Sequence, residues 1–212
     1  MAQAVRMLRT FQAVLTLVRE ELNDGAGALL RGLLEQYFVY RAIENDQAML
    51  QRATAEVEAE SHKALKALLD MDPVARAEEL TDEALSAALS SLQGGTGFNA
   101  FDWAAKTRMQ DAHRTLYRLL SPYVHGSIGV LVQYVRLNEA GQADGICSKI
   151  AHLESIEFML CAASMLLECT ERLNDEPNTE SRRAMFGLLA SDQRALYGRY
   201  WALKEAKDCA TR

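Results

Sequence analysis

The chain has 212 residues, 49% of them hydrophobic and 25% charged, which bounds it as one ordinary globular domain able to bury a core. A formal charge of -6 argues against broad, non-specific binding to nucleic acid or anionic membrane, while leaving room for a local basic site. Three prolines in an Ala-, Leu-, Glu- and Arg-rich chain favour long helices.

In chain order, Val5, Leu8, Phe11, Leu15, Val18 and Leu22 recur at three- and four-residue steps, so the opening segment reads as an amphipathic core helix. Arg6, Arg9 and Arg19 among those residues speak against a secretory signal. Asn23-Asp24-Gly25 is expected to end this helix. A second helix is predicted from about Ala28 towards Leu69, apolar in its first half and polar nearly all round in its second. Asp72-Pro73 reads as an N-cap with proline at the first helical position, and Thr81 caps another helix ending near Leu92. The segment of about 50–92 is expected either to project as a polar helical arm from a single domain spanning 1–212 or to pack on one side only. Gln93-Gly94-Gly95-Thr96-Gly97 is a loop without the Lys-Ser/Thr ending of a phosphate-binding loop.

The next helix is expected from near Asp102 to Leu120, interrupted at Ser121-Pro122. Residues 128–137, IGVLVQYVRL, are open between helix and strand, with helix favoured because no second strand is evident. NEAGQADG reads as a loop, Cys147 to Leu173 as an apolar central helix, NDEPNT as the last loop, and Ser181 to Lys207 as one or two final helices. The predicted fold is an all-α antiparallel bundle of about five to seven helices. The four cysteines (Cys147, Cys161, Cys169, Cys209) show no CxxC pair and read as reduced thiols of a cytoplasmic protein. No apolar run reaches membrane-spanning length.

Three polar clusters carry the candidate chemistry. Arg31 and Glu35, four apart, point the same way from one of the most apolar helices, either as an edge ion pair or as an inward polar site. Tyr117, Ser121 and His125 recur every four residues and share a face if the helix survives Pro122; otherwise Ser121 caps a new helix. Lys106, Arg108, His113, Arg114 and Arg118 form a basic helix side suited to phosphate, of which Lys106, Arg108 and Arg114 are the phosphate-binding candidates. Glu-x-x-His pairs, His-Glu-x-x-His and G-x-S-x-G are absent, and His152 and Glu154 diverge on a helix, so no metal or cofactor is expected.

Arg-x3-Glu on an early helix with Tyr-x3-Ser-x3-His-Gly at a later helix end, here Arg31, Glu35, Tyr117, Ser121, His125 and Gly126, resembles an uncharacterised bacterial all-α family over roughly residues 28–130. More distantly the arrangement looks like the HEPN superfamily of helical bundles, many of them metal-independent RNases of toxin–antitoxin and anti-phage systems. Their Arg-x4-6-His signature is met by Arg118–His125 and Arg108–His113, although Leu119 and Met109 stand where active members commonly carry a polar residue. The resemblance implies His125 as general acid or base and Arg118 as the phosphate-stabilising cation. Tyr117 and Ser121 would orient substrate or the imidazole, and the Arg31–Glu35 pair would hold the site. It also implies a homodimer and an RNA substrate. The competing reading is a non-catalytic interaction or ligand-sensing module, with a structural His125 cluster and a partner protein bound by the polar arm.

Overall fold

The computed structural model of the protein describes residues 2–92, 97–125, 128–131, 134–146, 152–173 and 180–210. Among the described residues the fold is all-α apart from one small hairpin, and the chain divides into two compact units, Met1–Tyr40 with Asp111–Arg212, and Arg41–Gln110. Gln93 to Thr96, Gly126, Cys147, Ile150 and the NDEPNT segment lie outside the described residues, as does the side chain of Cys209. Among the described residues no helix is long and apolar enough to cross a membrane.

In the first unit α1 (Ala2–Arg19) buries Met7, Val14 and Val18, while Val5, Leu8 and Leu22 face solvent. Val18 is thus buried as expected, while towards the N-terminus the buried stripe, through Val14 and Met7, is turned by about one residue from the expected one. Both phases satisfy a helical period, and Met7 decides between them by seating its sulfur 3.8 Å from the Cys169 thiol on α9 (His152–Leu173). A left-handed Glu21 ends α1, with the Leu22 amide donating to the Leu17 carbonyl at 2.8 Å. Asn23-Asp24-Gly25 therefore opens α2 (Asn23–Asn45) instead of closing α1, and Asp24 sits favourably in the first turn of that helix.

The expected helix from Ala28 to Leu69 is two helices. At Asp46 the side chain accepts from the Ala48 amide at 2.9 Å and the carbonyl accepts from Met49 at 2.9 Å, a local cap that starts α3 (Ala48–Leu69). The expected helix from Asp102 to Leu120 is also broken. Its first part is α5 (Ala100–Lys106), opened by a capping box between Asn99 and Asp102. Thr107 turns its hydroxyl back to the Ala104 carbonyl at 2.9 Å, and Arg108 takes a left-handed conformation.

From Gln110 the chain is helical through α6 (Gln110–Ala112), a π turn at His113–Tyr117 and α7 (Arg118–His125). Pro122 lies inside α7, so the predicted interruption does not occur. Ser121 caps nothing and donates to the Tyr117 carbonyl one turn back, at 2.8 Å. Residues 128–137 split: α8 (Ile128–Leu131) is helical, whereas Val135–Leu137 is strand β1. Its partner is β2 (Ala143–Ile146), which begins inside the segment expected to be loop. The turn between them is held by the Asn138 side chain, which accepts from Ala140 and Gln142, and by Gly141 at φ +74°.

α1 and α10 (Glu180–Ala210) both pack on α9. Tyr37 donates to Glu168 and Tyr40 to the Cys169 carbonyl, which ties α2 to α9 as well. Leu30, Leu33, Leu34, Phe38, Leu120, Phe158, Ala162 and Met165 fill the core. Cys161 and Cys169 are free thiols, and burial pushes the Cys161 thiol up.

The second unit has its own small core. α3 packs on α4 (Asp82–Ser91), which begins where the Thr81 hydroxyl accepts from Ala84, as its sequence predicts. Asp72 likewise accepts from Val74 over a single 3-10 turn, Pro73–Ala75. Trp103 is buried, its indole N–H donating to Glu56 at 2.7 Å and its edge meeting Phe98. The Arg76 guanidinium is enclosed and pairs with Asp82 at 2.7 Å.

One glycine sets the spacing of α2 and α7. A Cβ on Gly27 would sit 2.8–3.0 Å from three ring atoms of Tyr123, whose ring also meets that of Phe158 edge-on with centroids 5.5 Å apart. The contacted atoms include Cγ, so the ring has little freedom to swing away. Gly27→Ala gains roughly 0.5–1 kcal/mol of helix propensity but overpacks this contact at about 1–3 kcal/mol. The expected result is a net loss of stability in urea unfolding; an unchanged or raised midpoint would show that the two helices are free to separate.

Candidate active site on α2 and α7

Arg31 lies one turn after Gly27 on α2, and the close approach of α7 decides what surrounds it. Its side chain is only 14% exposed, although it carries a full charge. The cost of that burial is offset by three neighbours. Nη2 donates to the Tyr117 hydroxyl at 2.5 Å and lies 3.6 Å from Glu35 Oε1. Nη1 lies 3.3 Å from Nε2 of His125. The guanidinium carbon also sits 4.6 Å from the centre of the Tyr117 ring, within cation–π range. The Tyr117 hydroxyl completes the cycle by donating to Glu35 Oε1 at 2.8 Å.

The direction of each bond follows from the groups. Guanidinium only donates, so in its contact with His125 the Nε2 atom accepts and the ring proton resides on Nδ1. Tyr117 has one hydroxyl proton, given to Glu35, and a lone pair for Arg31. Burial is the largest influence on Tyr117 and raises its pKa; Glu35 adds to the rise and Arg31 opposes it. The phenol therefore stays neutral and in this orientation at ordinary pH. His125, the last residue of α7, is exposed.

The π turn gives His113, nominated by the basic side and by the Arg108–His113 spacing, a different partner. His113 stacks on Tyr117 with ring centroids 4.6 Å apart and planes at 19°. Its pKa is lowered, first by burial and then by the positive charges of Arg118, Arg114 and Arg31. The His-x3-Tyr spacing was the available signal. Single π turns recur at functional sites, where the extra residue re-aims a side chain.

Of the residues singled out from sequence, Arg31, Glu35, Tyr117 and His125 come together, with Ser121 supporting the Tyr117 carbonyl. Arg118 is exposed on α7, two turns before His125 and so on the same side of the helix. Arg114 is exposed beside Asp111 at 3.8 Å. Lys106 and Arg108 belong to the second unit, with Lys106 over the Phe98 ring at 5.8 Å and Arg108 in the left-handed turn after α5. The expected basic side from Lys106 to Arg118 is thus not one continuous helix face. Among the described residues no three His, Cys, Asp or Glu side chains gather as metal ligands.

The lowered pKa of His113 makes a pH prediction with a definite sign. Unfolded His113 takes up its proton near 6.5, the folded one only at lower pH. Acidification from about 6.5 thus favours the unfolded chain, and stability is lost until pH falls below the folded value. His113→Phe keeps the stack on Tyr117 and removes this titration. Urea unfolding above and below 6.5 is expected to show a smaller acid-side loss for the variant than for wild type; parallel losses would place the effect elsewhere.

No curated protein and no solved structure matches the chain. Residues 1–143 match a family of unknown function, DUF5677, a span that contains every residue of the Arg31–Glu35–Tyr117–His125 cluster and ends before α9 and α10. The chain belongs to that family, DUF5677.

Proposed function

We propose that this protein is a HEPN-like, metal-independent endoribonuclease of the kind found in toxin–antitoxin and anti-phage systems, with Arg31 and His125 as its reacting pair. The observation that carries the reading is a mostly buried arginine, fixed by Tyr117 and Glu35, that offers Nη1 to an exposed imidazole 3.3 Å away. A cation and a base in that relation suit a phosphodiester, whose charge grows as a 2′-oxygen attacks.

In the proposed step a phosphate oxygen takes over the Arg31 Nη1–H, releasing Nε2 of His125. That nitrogen accepts the proton of the ribose 2′-hydroxyl. The O2′–P bond forms, the P–O5′ bond breaks, and the proton passes through water to the departing O5′. The products are a 2′,3′-cyclic phosphate and a 5′-hydroxyl. Arg118, exposed on the same side of α7, would neutralise a flanking phosphate, which shifts the role first given to it along the chain towards Arg31.

One observation favours a second reading. Tyr117 and Glu35 already occupy Nη2 of Arg31, so the cluster also serves as a polar tie between α2 and α7, as it would in a non-catalytic interaction module. The two readings separate at His125. If it is the base, His125→Ala lowers RNA cleavage in EDTA on the order of 10²–10⁴-fold, leaves the urea midpoint almost unchanged, and abolishes a cyclic-phosphate product. Absence of cleavage by wild type over varied RNAs, with the variant clearly less stable, would sink the nuclease and leave the tie.

A further inference from the structure

The last helix, α10, presents its apolar side outward. Its packed side meets α9 through polar groups: Gln193 bonds Ser164, Tyr197 reaches the Cys161 sulfur at 3.9 Å, Tyr200 donates to Glu157 at 2.7 Å, and Lys204 pairs with Glu157 at 3.6 Å. About a quarter turn away lie Leu189, Leu196 and Leu203, spaced by seven residues, with Met185 and Leu188 beside them. All five are exposed, Leu188 at 66%, Leu196 at 52% and Leu203 at 59%. A seven-residue leucine repeat is the pattern of a helix that packs lengthwise on another helix. Ala195, Ala202 and Ala206 run along the same side and would let a second helix approach closely.

Two charges on this face identify the occupant. Asp192 and Arg199 lie seven apart within the stripe and are exposed. Against a parallel copy in register, each would meet its own like charge. Against an antiparallel copy, with the two-fold axis between Ala195 and Leu196, each meets one opposite charge, so the pair forms twice across the interface. That same register sets Leu188 opposite Leu203, Leu189 opposite Ala202 and Met185 opposite Ala206. The charges and the leucines thus agree on one alignment.

We propose that α10 pairs antiparallel with α10 of a second copy of this chain, covering Leu188, Leu189, Leu196 and Leu203 and placing Asp192 opposite Arg199 of the partner subunit. The pairing is independent of the nuclease reading, because it rests on a helix outside the residues that match the family.

Sedimentation equilibrium of the full chain across the micromolar range tests it. Wild type is expected at twice the chain mass. Leu196→Glu alters a solvent-facing residue, so helix content by circular dichroism should be kept while the dimer dissociation constant rises on the order of 100-fold or more. Asp192→Arg sets two arginines against each other and weakens the dimer. Asp192→Arg with Arg199→Asp restores the opposite charges and brings the dimer back. A monomeric wild type, a dimer untouched by Leu196→Glu, or no recovery in the double variant would each overturn the pairing.

Discussion

The burial of one guanidinium governs the described site. Arg31 cannot sit mostly out of water on α2 unless acceptors are brought to it, and the chain supplies them from three directions: Glu35 one turn on, Tyr117 from the π turn, and His125 from the end of α7. A hydrogen bond to a charged group contributes about 1.5–3 kcal/mol, more than the roughly 0–1 kcal/mol of a surface ion pair. Since Glu35 is 44% exposed, the Tyr117 bond is the stronger hold on Arg31. Gly27 makes it reachable by letting Tyr123 lie against the α2 backbone one turn earlier. Nearby, Tyr134 donates to Asp24, which pushes the phenol up to about 12 and fastens the segment after α8 to the start of α2.

Much of this was legible in the sequence because it depends on local periodicity. Arg31 and Glu35 share a helix face by spacing alone. Tyr117, Ser121 and His125 align once the helix runs through Pro122. That condition lay beyond sequence reasoning: a proline costs a helix its hydrogen bond to the preceding turn, and whether the loss is tolerated depends on tertiary packing, which the sequence does not print; the next residue, Tyr123, packs against Phe158 and Gly27. The helix caps at Asp72 and Thr81 were readable because a side chain answers a backbone amide two or three residues away. The breaks at Asp46 and Thr107 use the same kind of bond but sit within runs of good helix formers, which masks them.

Two misreadings have a common cause. The phase of α1 was off by one residue because both stripes are apolar, and only the α9 partner of Met7 distinguishes them. Residues 128–137 stay open between helix and strand in the sequence, with helix favoured, because the partner strand Ala143–Ile146 is short and polar, with a burial pattern no alternation rule detects. In each case the deciding contact is with a residue distant in sequence or weak in pattern. The all-α class survived both errors since long helices such as α2, α9 and α10 carry the fold.

The relation of His125 to two arginines shows how a motif and a site differ. Along the chain, Arg118 is the arginine that a short Arg-to-His spacing nominates, and the helix does place it on the same side as His125. In space, the arginine touching the imidazole is Arg31, 94 residues away. A guanidinium two turns along a helix is about 10 Å from the histidine, too far to share one phosphate oxygen with it but well placed for the next phosphate of a strand. A buried, doubly tied arginine holds its position without side-chain entropy to lose, whereas an exposed one must be ordered by the ligand. If phosphate is the ligand, Arg31 is the group built to meet the reacting phosphorus and Arg118 the group that adds affinity and salt dependence. The exposure of His125 fits this division better than a purely structural role, because a histidine serving only as a tie would gain most from being enclosed with both ring nitrogens satisfied.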